Sequence, residues 1–141
     1  MHLSRRALLQ TCSAAPLSIF AADTRTPKIT ITGLEIFRVK VNRRGDWIVP
    51  RVLTSAGGTG IGDASQITND AQMVRLLYQL FETMKGRSIY DVEFLRNMGM
   101  PMAMASHLPG AVAWSAIEQC LWDIRGKVFG VPAFDLFGGR I

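Results

Sequence analysis

The hydrophobic period of this chain changes once, and that change limits the folds open to it. Before Ala64 apolar residues alternate with polar ones; after Asn69 they recur at steps of three and four. Phe37, Val39 and Val41 share one face of an extended segment, Ile29 to Val41, with Arg38 and Lys40 on the other. A polar loop from Asn42 to Asp46 leads to a second strand, Trp47 to Thr54, rich in β-branched and aromatic residues. Pro50 inside it cannot donate to a ladder, so this strand is expected at a sheet edge or with a bulge. Ser55 to Gly58 makes a turn, and Thr59 to Ala64 a short third strand in which Gly60 and Gly62 permit close backbone approach.

Beyond it the helical period takes over. Asn69 is placed to cap a helix, with Gln72 three residues on. Met73, Leu76, Leu77, Leu80, Phe81 and Met84 form one apolar stripe, closed by Gly86. Ser88 is expected to cap a second helix, with Asp91 in its first turn, Val92, Leu95 and Met98 buried, and Gly99 as its stop. Met100 to Gly110 reads as a loop holding two prolines and His107. A third helix is expected from about Ala111, with Ile117, Cys120, Leu121, Ile124 and Val128 inward and Gly130 as its end. A last short turn follows Val131-Pro132 and stops at Gly138-Gly139. Strands and helices in separate runs predict an α+β fold: a three-stranded antiparallel meander followed by a layer of three helices.

The first 22 residues stand apart. Arg5-Arg6 precedes a mildly apolar stretch from Ala7 to Ala22, and no acidic residue occurs before Asp23. This is the layout of an export signal, and the paired arginines resemble a twin-arginine signal. The expectation is therefore export to the periplasm, with residues 1–22 as signal, 23–28 as linker and 29–139 as the domain. The net charge is +5 from 16 basic and 11 acidic residues. Without Arg5 and Arg6 the basic residues are scattered, which argues against a nucleic-acid partner. No apolar run reaches the roughly 20 residues of a membrane span, so no stable insertion is expected. Cys120 reads as a small buried hydrophobe.

Two stretches are more specific. Ser115 to Pro132 reads SAIEQCLWDIRGKVFGVP, and Leu136-Phe137-Gly138-Gly139 follows. This closely resembles the end of the N-terminal domain in the mandelate racemase/muconate-lactonizing branch of the enolase superfamily. Thr59-Gly60-Ile61-Gly62-Asp63-Ala64-Ser65 resembles that family's third strand, with Asp63 where Glu is usual. Pro50 and Gly58 also depart from the pattern. Gly126 is expected to permit close helix packing, Trp122 to wedge between helices, and Asp123 and Arg125 to cap or pair near a domain junction.

The resemblance implies a capping domain enolase-like in fold. In such enzymes Mg²⁺ stabilises the enediolate formed by proton abstraction α to a carboxylate, and a (β/α)₈ barrel carries the metal ligands and acid/base groups. Only Arg140 and Ile141 follow Gly139. The expectation is thus a truncated lid and specificity domain, with no catalytic residue, metal ligand or cofactor of its own, and inactive alone. Mg²⁺ is expected for the complete enzyme. The lid loops implied by the resemblance are Asn42 to Trp47 and Ser65 to Asn69. Arg43 or Arg44 is a candidate for a substrate carboxylate, Trp47 for an apolar wall, and Gln66 for a further substrate contact. Asp91, Glu93 and His107 read as solvated groups. Two rival readings stay open: a module that pairs with a separate barrel chain or with itself as a homo-oligomer, and a non-functional remnant.

Overall fold

The computed structural model describes residues 28–42, 45–65 and 69–140. The proposed export signal and most of the linker lie outside them. Three strands, β1 (Ile31–Asn42), β2 (Gly45–Thr54) and β3 (Thr59–Ile61), are followed by α1 (Asp70–Met84), α2 (Val92–Ala105) and α3 (His107–Phe129). A 3₁₀ turn, Ala133–Phe137, follows. The sheet is antiparallel throughout, in the order β1-β2-β3. The α+β meander and three-helix layer expected from the change of period are both present.

β2 is the central strand, and Pro50 sits buried within it opposite Ile36, in an unbroken stretch of register. The expected edge or bulge is therefore corrected. A residue in an antiparallel strand points its N–H and C=O the same way. Pro50 turns its carbonyl toward Gly62, whose N–H donates to it at 3.0 Å. Its missing N–H thus falls at the far end of the short β3, where the ladder is already running out.

One face of the sheet packs on the helices. Ile48, Pro50 and Val52 meet the stripe of α1 (Met73, Leu77, Leu80, Met84) and the buried side of α3 (Ala116, Ile117, Cys120, Ile124). α3 lies so close beneath β3 that a Cβ on Gly60 would stand 2.0 Å from the Cys120 carbonyl oxygen. One on Gly62 would stand 2.0 Å from that of Ala116. Those glycines are what admit the helix backbone. The opposite face carries Phe37, Val39, Val41, Trp47 and Ile61, all exposed.

Helix boundaries differ from expectation in one region. Asn69 does cap α1, its side chain accepting from Gln72 N–H at 3.0 Å. Ser88, however, is not the cap of α2. Asp91 holds that position, and Ser88 Oγ instead accepts from Tyr90 N–H. α2 also runs through Gly99 and Pro101. Gly99 is not a stop but a notch, since a Cβ there would stand 2.0 Å from the Trp114 ring. The packing of that indole outweighs the local breakers. The expected loop from Met100 to Gly110 is replaced by the end of α2 and by the first turn of α3, which admits Pro109 where an N–H needs no helical partner. Leu95, Gly99 and Ala103 form the buried line of α2, so Met98 is exposed rather than inward, as is Val128 on α3.

Gly130 ends α3 in the left-handed conformation, as expected. A Cβ on Gly126 would meet Val131 O at 2.8 Å and Ala133 N at 3.3 Å, so its bareness lets the closing 3₁₀ turn pack against α3. Trp122 packs on Phe137 of that turn, ring centroids 4.6 Å apart, with the Arg125 guanidinium 4.8 Å from its ring. Arg125 is buried and anchors α3 to the loop before α2, its Nε donating to Ile89 O at 2.7 Å. Desolvation by burial lowers its pKa from the ordinary arginine value. Asp123 pairs with Lys127, and neither Asp123 nor Arg125 caps a helix.

Candidate functional site

A cleft lies where the hairpin, the end of β3 and α3 converge. It holds about 410 Å³ and is lined by Trp47, Val49, Ile61, Gly62, Asp63, Ser65 and Gln119. Trp47 and Val49 come from β2 and point to the same side because they are two apart. Ile61 opposes Arg51 in the ladder and so shares that side. Together they make an apolar wall.

The polar side is fixed by short hydrogen-bonded steps. Gln119 Oε1 accepts from Asp63 N–H at 2.9 Å. The Asp63 carboxylate accepts from Ser65 N–H at 2.9 Å and from Ser65 Oγ. Ser65 Oγ in turn accepts from Ile48 N–H at 3.0 Å, which ties the segment after β3 back onto β2. A separate ion-pair group lies on the helix-facing side of the sheet, where Arg38 stands opposite Ile48. Arg38 on β1 donates through Nε to Asp46 at 2.9 Å and through Nη2 to Asp70. Asp46 opens β2 and Asp70 opens α1, so one guanidinium holds both ends together. Its pKa is raised above the ordinary arginine value, chiefly by the bond to Asp70.

Of the expected substrate contacts, Trp47 lines this cleft and is largely exposed in it. Arg43, Arg44 and Gln66 lie outside the described residues. Asp63, Ser65 and Gln119 as cleft-lining groups were not expected. Gln119 is far from the others in sequence, and only the close seating of α3 under Gly60 and Gly62 brings it there. His107 is exposed at the first turn of α3, Asp91 is exposed at the cap of α2 and Glu93 in its first turn. Cys120 is buried, and its thiol, an acceptor distance of 3.4 Å from Pro50 O, is pushed up to about 12 mainly by desolvation. Among the described residues no three of His, Cys, Asp and Glu stand close enough to hold a metal ion. Among them, too, no helix is long and apolar enough to cross a membrane.

Chemically the cleft offers an indole face and aliphatic wall on one side, and a carboxylate, a hydroxyl and a carboxamide on the other. That combination suits a polyhydroxylated ligand. The ring meets C–H surface, and the polar groups meet hydroxyls.

The chain is 33% identical over 115 residues to a D-galactonate dehydratase family member of Paenibacillus sp. (strain JDR-2), covering 77% of this chain and 27% of that protein. It is 31% identical over 103 residues to a D-mannonate dehydratase of Caulobacter vibrioides, covering 67% and 24%. The chain thus spans about a quarter of the length of these curated relatives. Among solved structures, the fold matches a mandelate racemase/muconate lactonizing enzyme from Jannaschia sp. CCS1. The TM-score is 0.69 at 24% identity, over 79% of this chain and 31% of that one. The family described as mandelate racemase / muconate lactonizing enzyme, N-terminal domain, matches residues 26–138. A match that takes in the whole meander, all three helices and the closing turn shows that the chain belongs to this N-terminal domain family of the enolase superfamily.

Proposed function

We propose that this chain is the lid and specificity domain of an acid-sugar dehydratase acting on aldonates such as galactonate or mannonate. The observation that carries the reading is the cleft beside the hairpin. It joins an exposed indole, Trp47, to the Asp63, Ser65 and Gln119 side chains at the border of both expected lid loops. Similarity to relatives named as D-galactonate and D-mannonate dehydratases supports the substrate class. In the complete enzyme, Trp47 would pack on the carbon chain of the bound sugar acid and exclude water from it, while the polar side selects hydroxyl configuration.

On the family resemblance the complete enzyme would use Mg²⁺, which would stabilise the enediolate. The described residues of this chain do not fit that ion. Asp46 and Asp70 share the one Arg38 guanidinium, Asp63 is held by Ser65, and Asp123 by Lys127. No catalytic step is therefore assigned to them. The paired arginines of the leader further support export to the periplasm.

A domain exchange tests the reading. Residues 26–138 replace the matching segment of a characterised D-galactonate dehydratase, and kcat/KM is measured for galactonate, mannonate and gluconate. The exchanged enzyme is expected to turn over with a changed preference among the three. A folded exchange enzyme with the recipient's unaltered profile counts against a specificity role. Turnover of any aldonate by the isolated chain with Mg²⁺ counts against the lid reading altogether.

A further inference from the structure

The sheet has two edges, and they are treated differently. The outward edge of β1 is covered only at its start. There Ile31 N–H donates to Arg87 O at 2.9 Å, and Gly86 N–H donates to Ile31 O at 2.8 Å. Among the described residues, no backbone group outside the sheet bonds to β1 beyond that point. Among the described residues β3 has no neighbouring strand on its outer side either. Three outward backbone groups of this edge are nevertheless occupied, and by side chains. Gly62 faces β2 through its bond to Pro50 O. The alternation of an antiparallel strand then turns residues 59, 61 and 63 outward.

Each of these meets a different residue of α3. Lys127 Nζ donates to Thr59 O at 2.9 Å. Asp123 Oδ2 accepts from Ile61 N–H at 3.0 Å. Gln119 Oε1 accepts from Asp63 N–H at 2.9 Å. A helix returns a side chain to the same face every four residues and a strand every two, so the two elements run rung against rung. Asp123 also binds Lys127 at 2.7 Å, which braces adjacent rungs. The reach of these side chains depends on the glycines at 60 and 62, which seat the helix directly beneath the edge.

We infer that Gln119, Asp123 and Lys127 form an edge guard that keeps β3 from pairing with β1 of a second copy of this chain. Residues 59, 61 and 63 together turn three N–H groups and three carbonyls outward, of which the α3 side chains take two N–H groups and one carbonyl. β1 is a long strand whose outward edge, among the described residues, is bonded only at its start. Joining the two is a head-to-tail contact that leaves one edge of each kind unused at the ends. Such contacts propagate rather than close. Occupying one of the two edges is enough to stop propagation, and the shorter edge takes the fewest side chains to fill. The apolar residue Ile61, exposed on the outer face beside this edge, makes an open edge still more adhesive.

Residue-resolved amide exchange on the whole chain tests this first without any substitution. The Ile61 and Asp63 amides are expected to be protected, although no strand lies outside them. Gln119→Ala is expected to speed exchange at Asp63 about tenfold and leave Ile61 unchanged, and Asp123→Ala to do the reverse. The double variant Gln119→Ala/Asp123→Ala is expected to form species that grow with concentration in sedimentation velocity. Their Ile61 and Asp63 amides should become protected again. Asp123→Asn in place of Asp123→Ala keeps an acceptor and should suppress that growth. Three results overturn the inference. The parent's two amides exchange at coil rates, or the folded double variant sediments as the parent does. Alternatively it associates with those amides still fast, which assigns association to the apolar outer face instead. Should the double variant not fold, the parent and single-variant exchange rates decide the matter.

Discussion

The close seating of α3 beneath β3 makes Gly60→Ala the sharpest test of the packing. The added methyl would lie 2.0 Å from Cys120 O, 2.7 Å from Ile124 Cγ1 and 2.9 Å from the Cys120 carbonyl carbon. Two of these atoms are helix backbone and cannot swing aside. To reach ordinary contact at 3.4 Å the helix must retreat roughly 1.4 Å. Overpacking of this kind costs about 1–3 kcal/mol. The retreat also stretches the Ile61–Asp123 and Asp63–Gln119 bonds, each contributing about 0.5–1.5 kcal/mol. The total is about 2–6 kcal/mol. The stiffer unfolded chain of an alanine variant offsets only about 0.4–1 kcal/mol of it. For a domain of this size that corresponds to a fall in Tm on the order of 10–20 °C, read by circular dichroism. Gly58→Ala is the internal control. Its Cβ would meet nothing nearer than Thr54 Oγ1 at 3.5 Å, so only the unfolded-state gain remains and Tm should rise by a few degrees. Equal melting of Gly60→Ala and the parent, within about 2 °C, would refute the packing argument.

Other consequences follow from single residues. In the exchanged dehydratase, Trp47→Ala should raise KM for aldonates about tenfold with a smaller change in kcat, because it removes binding surface and no reacting group. Steady-state kinetics separates the two. Replacing Arg5-Arg6 by two lysines should leave the protein in the cytoplasmic fraction on cell fractionation, if the leader follows the twin-arginine route. In a Cys12→Ser background, Cys120 should react with a disulfide reagent at pH 8 about a thousandfold more slowly than free cysteine. At that pH a thiol pushed up to about 12 holds almost no thiolate. The same shift fixes a sign for stability. The folded thiol keeps its proton while the unfolded one begins to lose it near its ordinary value of 9.0. Stability should therefore decline between about pH 9 and 12, and the decline should be shallower in Cys120→Ala, as followed by urea midpoints.

How much of this was legible in the sequence depends on whether the governing force is local. The α1 stripe from Met73 to Met84 and the Asn69 cap are local patterns, and the structure has both. The αL end at Gly130 is a local matter of backbone conformation and was equally readable. Pro50 was misplaced because its tolerance depends on where β3 stops, a fact about another strand. Gly99 and Pro101 were read as breakers because the indole of Trp114, which fills the notch at Gly99, comes from a later helix. In the candidate site, Trp47 was reachable only through the family resemblance, which implies a lid loop from Asn42 to Trp47. Gln119 was not, since its spacing from Asp123 and Lys127 becomes meaningful only once α3 is known to lie under β3. The residues were visible; the partner strand they answer to was not.

The rungs between α3 and β3 also behave as a vernier. Four helical residues advance about 6.0 Å, while two strand residues advance about 6.6 Å. The two scales drift apart by roughly 0.6 Å per rung, so three rungs share about 1.2 Å of error, which flexible Lys and Gln ends absorb on either side of the shorter Asp123. A fourth rung would be out by about 1.8 Å, more than hydrogen-bond geometry tolerates. The mismatch thus sets a ceiling on how long β3 can grow while α3 still keeps step with it, and lengthening the strand would only create backbone that the helix cannot serve.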